Sequence, residues 1–168
     1  LTGNSIKKIK KLLSIIASLV PFTPDLKKLK LLLDIGDERT LKAYLIYLED
    51  TGIILMTGKG KKGIKELEKP EKIYLNNTNL IYALTTTNNV EIGNVRETFF
   101  INIFSSQYKI STPEKGDFLV NNKYTIEVGG KSKDFAQIKD IKNSFLAIDN
   151  MEIGIGNKIP LWLFGFLY

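Results

Sequence analysis

The stretch GDFLVNNKYTIEVGGK, residues 116–131, alternates β-rich runs with turn chemistry. Asp117 opens the apolar run Phe118-Leu119-Val120, Asn121-Asn122-Lys123 are turn residues, and Tyr124 to Val128 resume a β-prone composition. Two such runs about a short polar turn predict a β-hairpin. Strand alternation puts Ile126 and Val128 on one face and Glu127 on the other, with Thr125 and Gly129. For a single acid, water on that face is explanation enough. A second acid, Asp117, at the base of the preceding strand, and a third upstream, point instead to a polar cleft. Paired carboxylates at neighbouring strand ends are a common way of holding Mg²⁺.

Outward from the hairpin, Gly93 to Phe104 reads as a strongly apolar helix in which Glu97 stands among core residues. A salt bridge to Arg96 is one account of Glu97, but adjacent helical residues point apart, so a polar cleft or a cap fits it better. Downstream, Phe135, Ile138 and Ile141 predict a helical stripe with Lys133, Lys139 and Lys142 outside it. Ser144 to Ile148 reads as a buried strand, Met151 to Gly156 as a weak strand or turn, and Ile159 to Tyr168 as a core-docking terminus. Upstream, Ile73-Tyr74-Leu75 is a short strand, Asn76 to Asn79 cap a brief helix, and Thr85 to Asn89 form a polar loop. Helix, strand, strand, helix, strand describes a small α/β domain over residues 73–168.

Residues 1–72 read differently. Ser5 caps a first helix with Ile6, Ile9, Leu13, Ile16 and Val20 at helical spacing, widened by Leu12 and Leu19; Pro21 and Pro24 end it. Asp25 caps a second helix faced by Leu26, Leu29 and Leu33. Gly36 supplies its stop, and Asp37 caps a third helix faced by Leu41, Tyr44, Leu45 and Leu48. The runs Ile53-Ile54-Leu55-Met56 and Ile64-Lys65-Glu66-Leu67 flank a Gly/Lys loop. Three helices and a basic hairpin make the winged-helix plan, with the third helix as recognition helix.

The charge follows the same division. Through Lys72 there are 15 basic against 9 acidic side chains, and after it 9 of each, so the whole net charge of +6 sits in the first part. Such asymmetry points to a polyanion, double-stranded DNA being the candidate. Lys59, Lys61 and Lys62 in the loop, with Arg39, Thr40 and Lys42 early in the third helix, are the candidate contacts. Asp37, Glu38, Glu49 and Asp50 on that helix oppose a phosphate backbone, and a protein-contacting winged helix is the competing reading.

The chain has 168 residues, 43% apolar, without cysteine or histidine. That removes disulfides, thiolate metal sites, cysteine nucleophiles and imidazole catalysis, leaving carboxylate, lysine and metal chemistry to any enzyme. The composition fits a cytoplasmic protein, and no apolar run is long enough for a membrane span. Leu1 in place of Met reads as the start of a piece of a longer chain. Gly58-Lys59-Gly60-Lys61-Lys62-Gly63 lacks the spacing, the hydroxyl and the strand-to-helix setting of a nucleotide-binding loop.

Gly93…Glu97, Gly116-Asp117-Phe118 and Ile126-Glu127-Val128 followed by a lysine resemble the PD-(D/E)xK restriction-endonuclease-like fold. Residues 1–168 as a whole look like the region after the ATPase core in predicted bacterial and archaeal AAA-type ATPases. The leucine-rich helices, the segment Lys69 to Leu80 and the run Ile159 to Gly165 carry that likeness. The resemblance implies a winged helix over 1–72 and an endonuclease-like domain over 73–168. It implies an N-terminal ATPase core as partner, the only holder of ATP. It also implies a site with Glu97, Asp117 and Glu127 as catalytic acids and Mg²⁺ ligands. The family's lysine stands two residues after the second hairpin acid, where this chain has Gly129; the nearest lysine, Lys131, is about 13 Å beyond Glu127 along an extended strand. The departure implies a residual site in a module that binds nucleic acid or a partner. An active Mg²⁺-dependent DNase using Lys131, and a protein-contacting regulatory module, are the alternatives.

Overall fold

A computed structural model describes residues 2–58, 70–85 and 90–167. The protein is mixed α+β and divides into two units, Leu1–Val90 and Glu91–Tyr168. The boundary expected after Lys72 therefore falls inside the first unit, because Ile73 to Leu75 pair there.

In the first unit, α1 (Gly3–Leu19), α2 (Leu26–Leu32) and α3 (Glu38–Asp50) precede β1 (Ile54–Thr57), β2 (Lys72–Leu75) and α4 (Thr78–Leu84). Thr2, not Ser5, caps α1: its hydroxyl oxygen accepts from the Ser5 amide at 3.2 Å. Leu12, Ile16 and Val20 are buried, whereas Ile6 and Leu19, assigned to the same stripe, are exposed. Asp25 and Asp37 cap α2 and α3 as expected, and Leu41, Tyr44, Leu45 and Leu48 form the buried face of α3. β1 and β2 are antiparallel, Ile54 opposite Leu75, and a bridge from Phe22 to Ile73 ties the α1–α2 connection to them. The expected partner of β1, Ile64 to Leu67, lies outside the described residues, as do residues 86–89 of the polar loop.

Both α2 and α3 end in the same double turn. After α3, the Gly52 amide donates to Glu49 and the Ile53 amide to Leu48, with Gly52 at φ +69. After α2, the Asp34 amide donates to Leu31 and the Ile35 amide to Lys30, with Asp34 at φ +50. The left-handed position is thus filled by Asp34 rather than Gly36. Lysines compensate: Lys11 donates to the Leu32 carbonyl at 2.7 Å, and Lys8 donates to the Asp34 carbonyl and lies 3.7 Å from its carboxylate. Cations at a helix C-terminus satisfy orphan carbonyls and the negative end of the dipole.

In the second unit, α5 (Ile92–Phe104) leads into β3 (Ile110–Ser111), β4 (Phe118–Val120), β5 (Tyr124–Gly129), β6 (Ser144–Ile148) and β7 (Lys158–Pro160), then a 3-10 helix, Leu161–Phe166. The sheet runs β3-β4-β5-β6-β7; β3, β4 and β5 are antiparallel, and β5, β6 and β7 parallel. The hairpin turn has Asn121 and Asn122 at φ +52 and +55 and the Lys123 amide on the Val120 carbonyl at 3.0 Å, a type I′ geometry that matches strand twist. One sheet face carries Phe118, Val120, Ile126 and Val128; Phe100 of α5 stacks on Phe118 at 5.0 Å and meets Phe164 edge-on at 5.2 Å. On the other face, Ile138, Leu146 and Ile148 are buried, with Phe135, Ile141 and Met151 packed against them.

The segment 131–143 covering that second face is not the helix its stripe predicts. It runs as turns, with the Ile138 amide on the Phe135 carbonyl and the Ile141 amide on the Ile138 carbonyl. A three-residue repeat of turns delivers Phe135, Ile138 and Ile141 to one side just as a helix would. The terminal run docks in part: Leu161 and Phe164 are buried, but Trp162, Leu163, Phe166 and Leu167 are exposed.

Candidate active site

Phe118 pairs with Ile126 across the hairpin, and Asp117, one step earlier, stands at the start of β4 beside the strand that carries Glu127. The Asp117 amide donates to the Ile126 carbonyl at 2.9 Å, and its Oδ2 accepts from the Val128 amide at 2.8 Å. The preceding Gly116, at φ +91, admits no side chain: a Cβ there would lie 2.8 Å from Thr125 Cγ2. Backbone bonds to β5 thus hold both the main chain and the carboxylate of Asp117.

Glu127 does not face water. It is 1% exposed, with Thr125 to Gly129 all buried because the sheet is covered on both faces. A buried carboxylate needs partners, and Glu127 has them in the covering segment. Lys133 forms an ion pair with its Oε1. The Gln137 amide, its nitrogen turned to the carboxylate as the hydrogen bonding requires, donates to Oε1 at 2.9 Å and Oε2 at 3.2 Å.

The two glycines after Glu127 each make room for a charged side chain from elsewhere. A Cβ on Gly129 would lie 2.6 Å from Lys133 Cγ, so the lysine stem crosses the strand where the glycine leaves a gap. A Cβ on Gly130 would lie 3.1 Å from an Arg96 guanidinium nitrogen. Arg96 pairs with Asp149 at 2.8 Å rather than with its neighbour Glu97, as the divergence of adjacent helical residues leads one to expect.

Four charges meet in this arrangement. Burial pushes the Lys133 ammonium toward lower pKa, but the hydrogen bond and charge of Glu127, with the charges of Asp117 and Glu97, outweigh it and leave Lys133 above the ordinary 10.5. The structure therefore brings Glu97, Asp117 and Glu127 into the field of one cation, and that cation belongs to Lys133. Lys131 is exposed and lines a separate cavity. Sequence reading missed Lys133 and Gln137 as site residues; the available signal was the Gly129-Gly130 pair, which clears space beside the strand and opens the turn that brings Lys133 back over it.

The donor set suits Mg²⁺ in kind, being all carboxylate oxygen. Among the described residues, however, no three acidic side chains are grouped as ligands of one ion. Asp117 and Glu127, on the two strands of the hairpin, are the pair best placed to share an ion.

Of the nucleic-acid candidates in the first unit, Lys59, Lys61 and Lys62 lie outside the described residues. Lys42 pairs with Glu38 one turn back at 3.0 Å. Thr40 gives both its amide (2.9 Å) and its hydroxyl (2.8 Å) to Asp37. Those two bonds, the amide's being the stronger influence, hold the Asp37 carboxyl below its usual 3.8. Arg39 is exposed beside them. Compared with family models, with curated proteins and with solved structures, the chain matches none.

Proposed function

We propose that the second unit is a PD-(D/E)xK-like module that cleaves DNA phosphodiesters, with Glu97, Asp117, Glu127 and Lys133 as its site. In this reading Lys133, entering from the covering segment, fills the place that Gly129 leaves open. The observation that carries the proposal is that crossing: a lysine stem laid over Gly129, with its ammonium on Glu127 and in the field of the other two acids. Asp117 and Glu127 would hold Mg²⁺, whose chemistry there is to offset the charge developing on the phosphoryl oxygens. Lys133 orients the attacking water and stabilises its developing negative charge, as a preorganised cation does at little reorganisation cost. The first unit serves as a winged helix on double-stranded DNA. The chain is read as the C-terminal region of a cytoplasmic AAA-type ATPase whose N-terminal core holds ATP. Among the described residues no helix is long and apolar enough to cross a membrane.

A non-catalytic, partner-binding module is the second reading. It is favoured by the lack of a three-acid cluster among the described residues and by the two donors already engaging Glu127. Nicking of supercoiled plasmid decides between them. The catalytic reading expects cleavage with Mg²⁺ or Mn²⁺ that is lost in Asp117→Ala and in Lys133→Met. Wild-type protein inert with either ion, or a Lys133→Met protein that nicks as well as wild type, overturns it.

A further inference from the structure

The cavity lined by Lys131 lies on the same sheet face as Glu127. It has a volume of about 530 Å³ and is lined by Lys131, Ile148, Asn150, Met151, Glu152, Ile155 and Lys158. Parallel register sets Glu127 beside Leu146 and Leu146 beside Lys158, so these three form one row across β5, β6 and β7. Side chains in one row share a face. At about 4.8 Å per strand, Lys158 stands about 10 Å from Glu127, the axial rise of about three phosphates on one strand. Lys131 leaves the same edge, two residues beyond Gly129.

The cavity walls are fixed. Ile155 and Lys158 exchange two backbone hydrogen bonds of 3.0 Å, and Gly154 lets that turn press against β7, since a Cβ there would lie 3.0 Å from the Lys158 carbonyl. Asn157 donates to the Ser144 carbonyl at 3.0 Å, and the Trp162 indole donates to the Met151 carbonyl at 3.0 Å. Lys158 is half-buried, and neither it nor Lys131 forms an ion pair among the described residues. Two lysines against the single carboxylate of Glu152 leave this rigid recess net positive. It opens at the carboxyl ends of β5 and β6, where open sheets place their ligands.

We propose that this recess is a phosphate-binding subsite, with Lys131 and Lys158 holding the backbone of the nucleic-acid strand that runs past the four-residue site. The inference rests on the reading of that site as acting on phosphodiesters. In it, Lys131 binds substrate and takes no part in the chemistry.

The test is the salt dependence of DNA binding by the full chain, followed by fluorescence anisotropy with a labelled duplex in EDTA. Lys131→Gln/Lys158→Gln keeps most of each stem and removes both charges. Two lost phosphate contacts should lower the slope of log affinity on log salt by about 1.8, so that raising salt fourfold costs the variant about twelvefold less affinity than wild type. Glu152→Gln should tighten binding. An unchanged slope in the double variant overturns the proposal, as does wild-type protein that does not bind the duplex. The two readings fail separately. A lowered slope without metal-dependent nicking keeps the subsite and removes the nuclease, whereas nicking with an unchanged slope does the reverse.

Discussion

Replacing Lys133 by Met removes the ammonium paired with Glu127 and leaves a carboxylate of 1% exposure that still accepts from Gln137. Taking one partner from a fully buried ion pair costs about 3–5 kcal/mol, mostly because the other charge stays buried. Lys133 is 31% exposed, so water screens part of the pair, and about 2–4 kcal/mol is expected. Trp162, the only tryptophan of the chain, belongs to the second unit, so its fluorescence in urea follows that unit's unfolding. For so small a unit, at about 1 kcal/mol per M, the midpoint should fall by about 2 M or more. The companion Glu127→Gln/Lys133→Met removes both charges and should lose less than Lys133→Met alone. The reasoning is refuted if Lys133→Met unfolds within about 0.3 M of wild type, or if the double variant is no better than the single one.

Five further outcomes follow from the structure. Gly129→Ala places a methyl group 2.6 Å from Lys133 Cγ and should destabilise the Trp162-reported transition by about 1–3 kcal/mol; Gly116→Ala, strained in φ as well as crowded, should cost at least as much. Thr98→Val replaces a buried hydroxyl that has no hydrogen-bond partner among the described residues, and should raise thermal stability by about 1 kcal/mol. The raised pKa of Lys133 makes its contribution complete below 10.5 and lost as pH climbs through the higher folded value, so an alkaline titration of Trp162 fluorescence should show a limb that Lys133→Met lacks. Asp37 has the opposite sign: its lowered pKa gives a contribution present above 3.8 that disappears as pH falls through the folded value, and Asp37→Asn should flatten the acid limb of the first unit's helical circular dichroism.

Elements whose determinants are local were legible in the sequence. The α3 helix could be read from its cap, its stripe and its terminal Gly52, because those signals all lie within the helix and its ends. The hairpin could be read because Asn121 and Asn122 accept positive φ between two β-rich runs. Distant partners were not legible. The pairing of β1 with β2 joins segments across more than a dozen residues, and nothing local in Ile73-Tyr74-Leu75 names its partner. Residues 131–143 misled because turns repeating every three residues and a helix give nearly the same apolar spacing. That substitution also hid Lys133, which a helix with Phe135, Ile138 and Ile141 inward would turn outward.

The positive charge of the first unit shows how composition and use separate. Its excess of lysine suggested a surface for DNA, yet Lys8 and Lys11 serve the carbonyl end of α2, and Lys42 is paired with Glu38. Each of these bonds costs the cation some of its availability to a phosphate, since a competing anion must displace an existing partner. The second unit, with no net charge by count, instead concentrates its charges: one lysine among three carboxylates, and two lysines without ion pairs among the described residues in a recess about 10 Å away. Position rather than total charge therefore favours the sheet face beyond Glu127 as the place where a phosphate chain would be held. If Lys8 and Lys11 contributed to DNA affinity instead, neutralising them would reduce the salt slope and leave helix α2 intact. The structure predicts the reverse: a loss of stability in the first unit, with DNA affinity little changed.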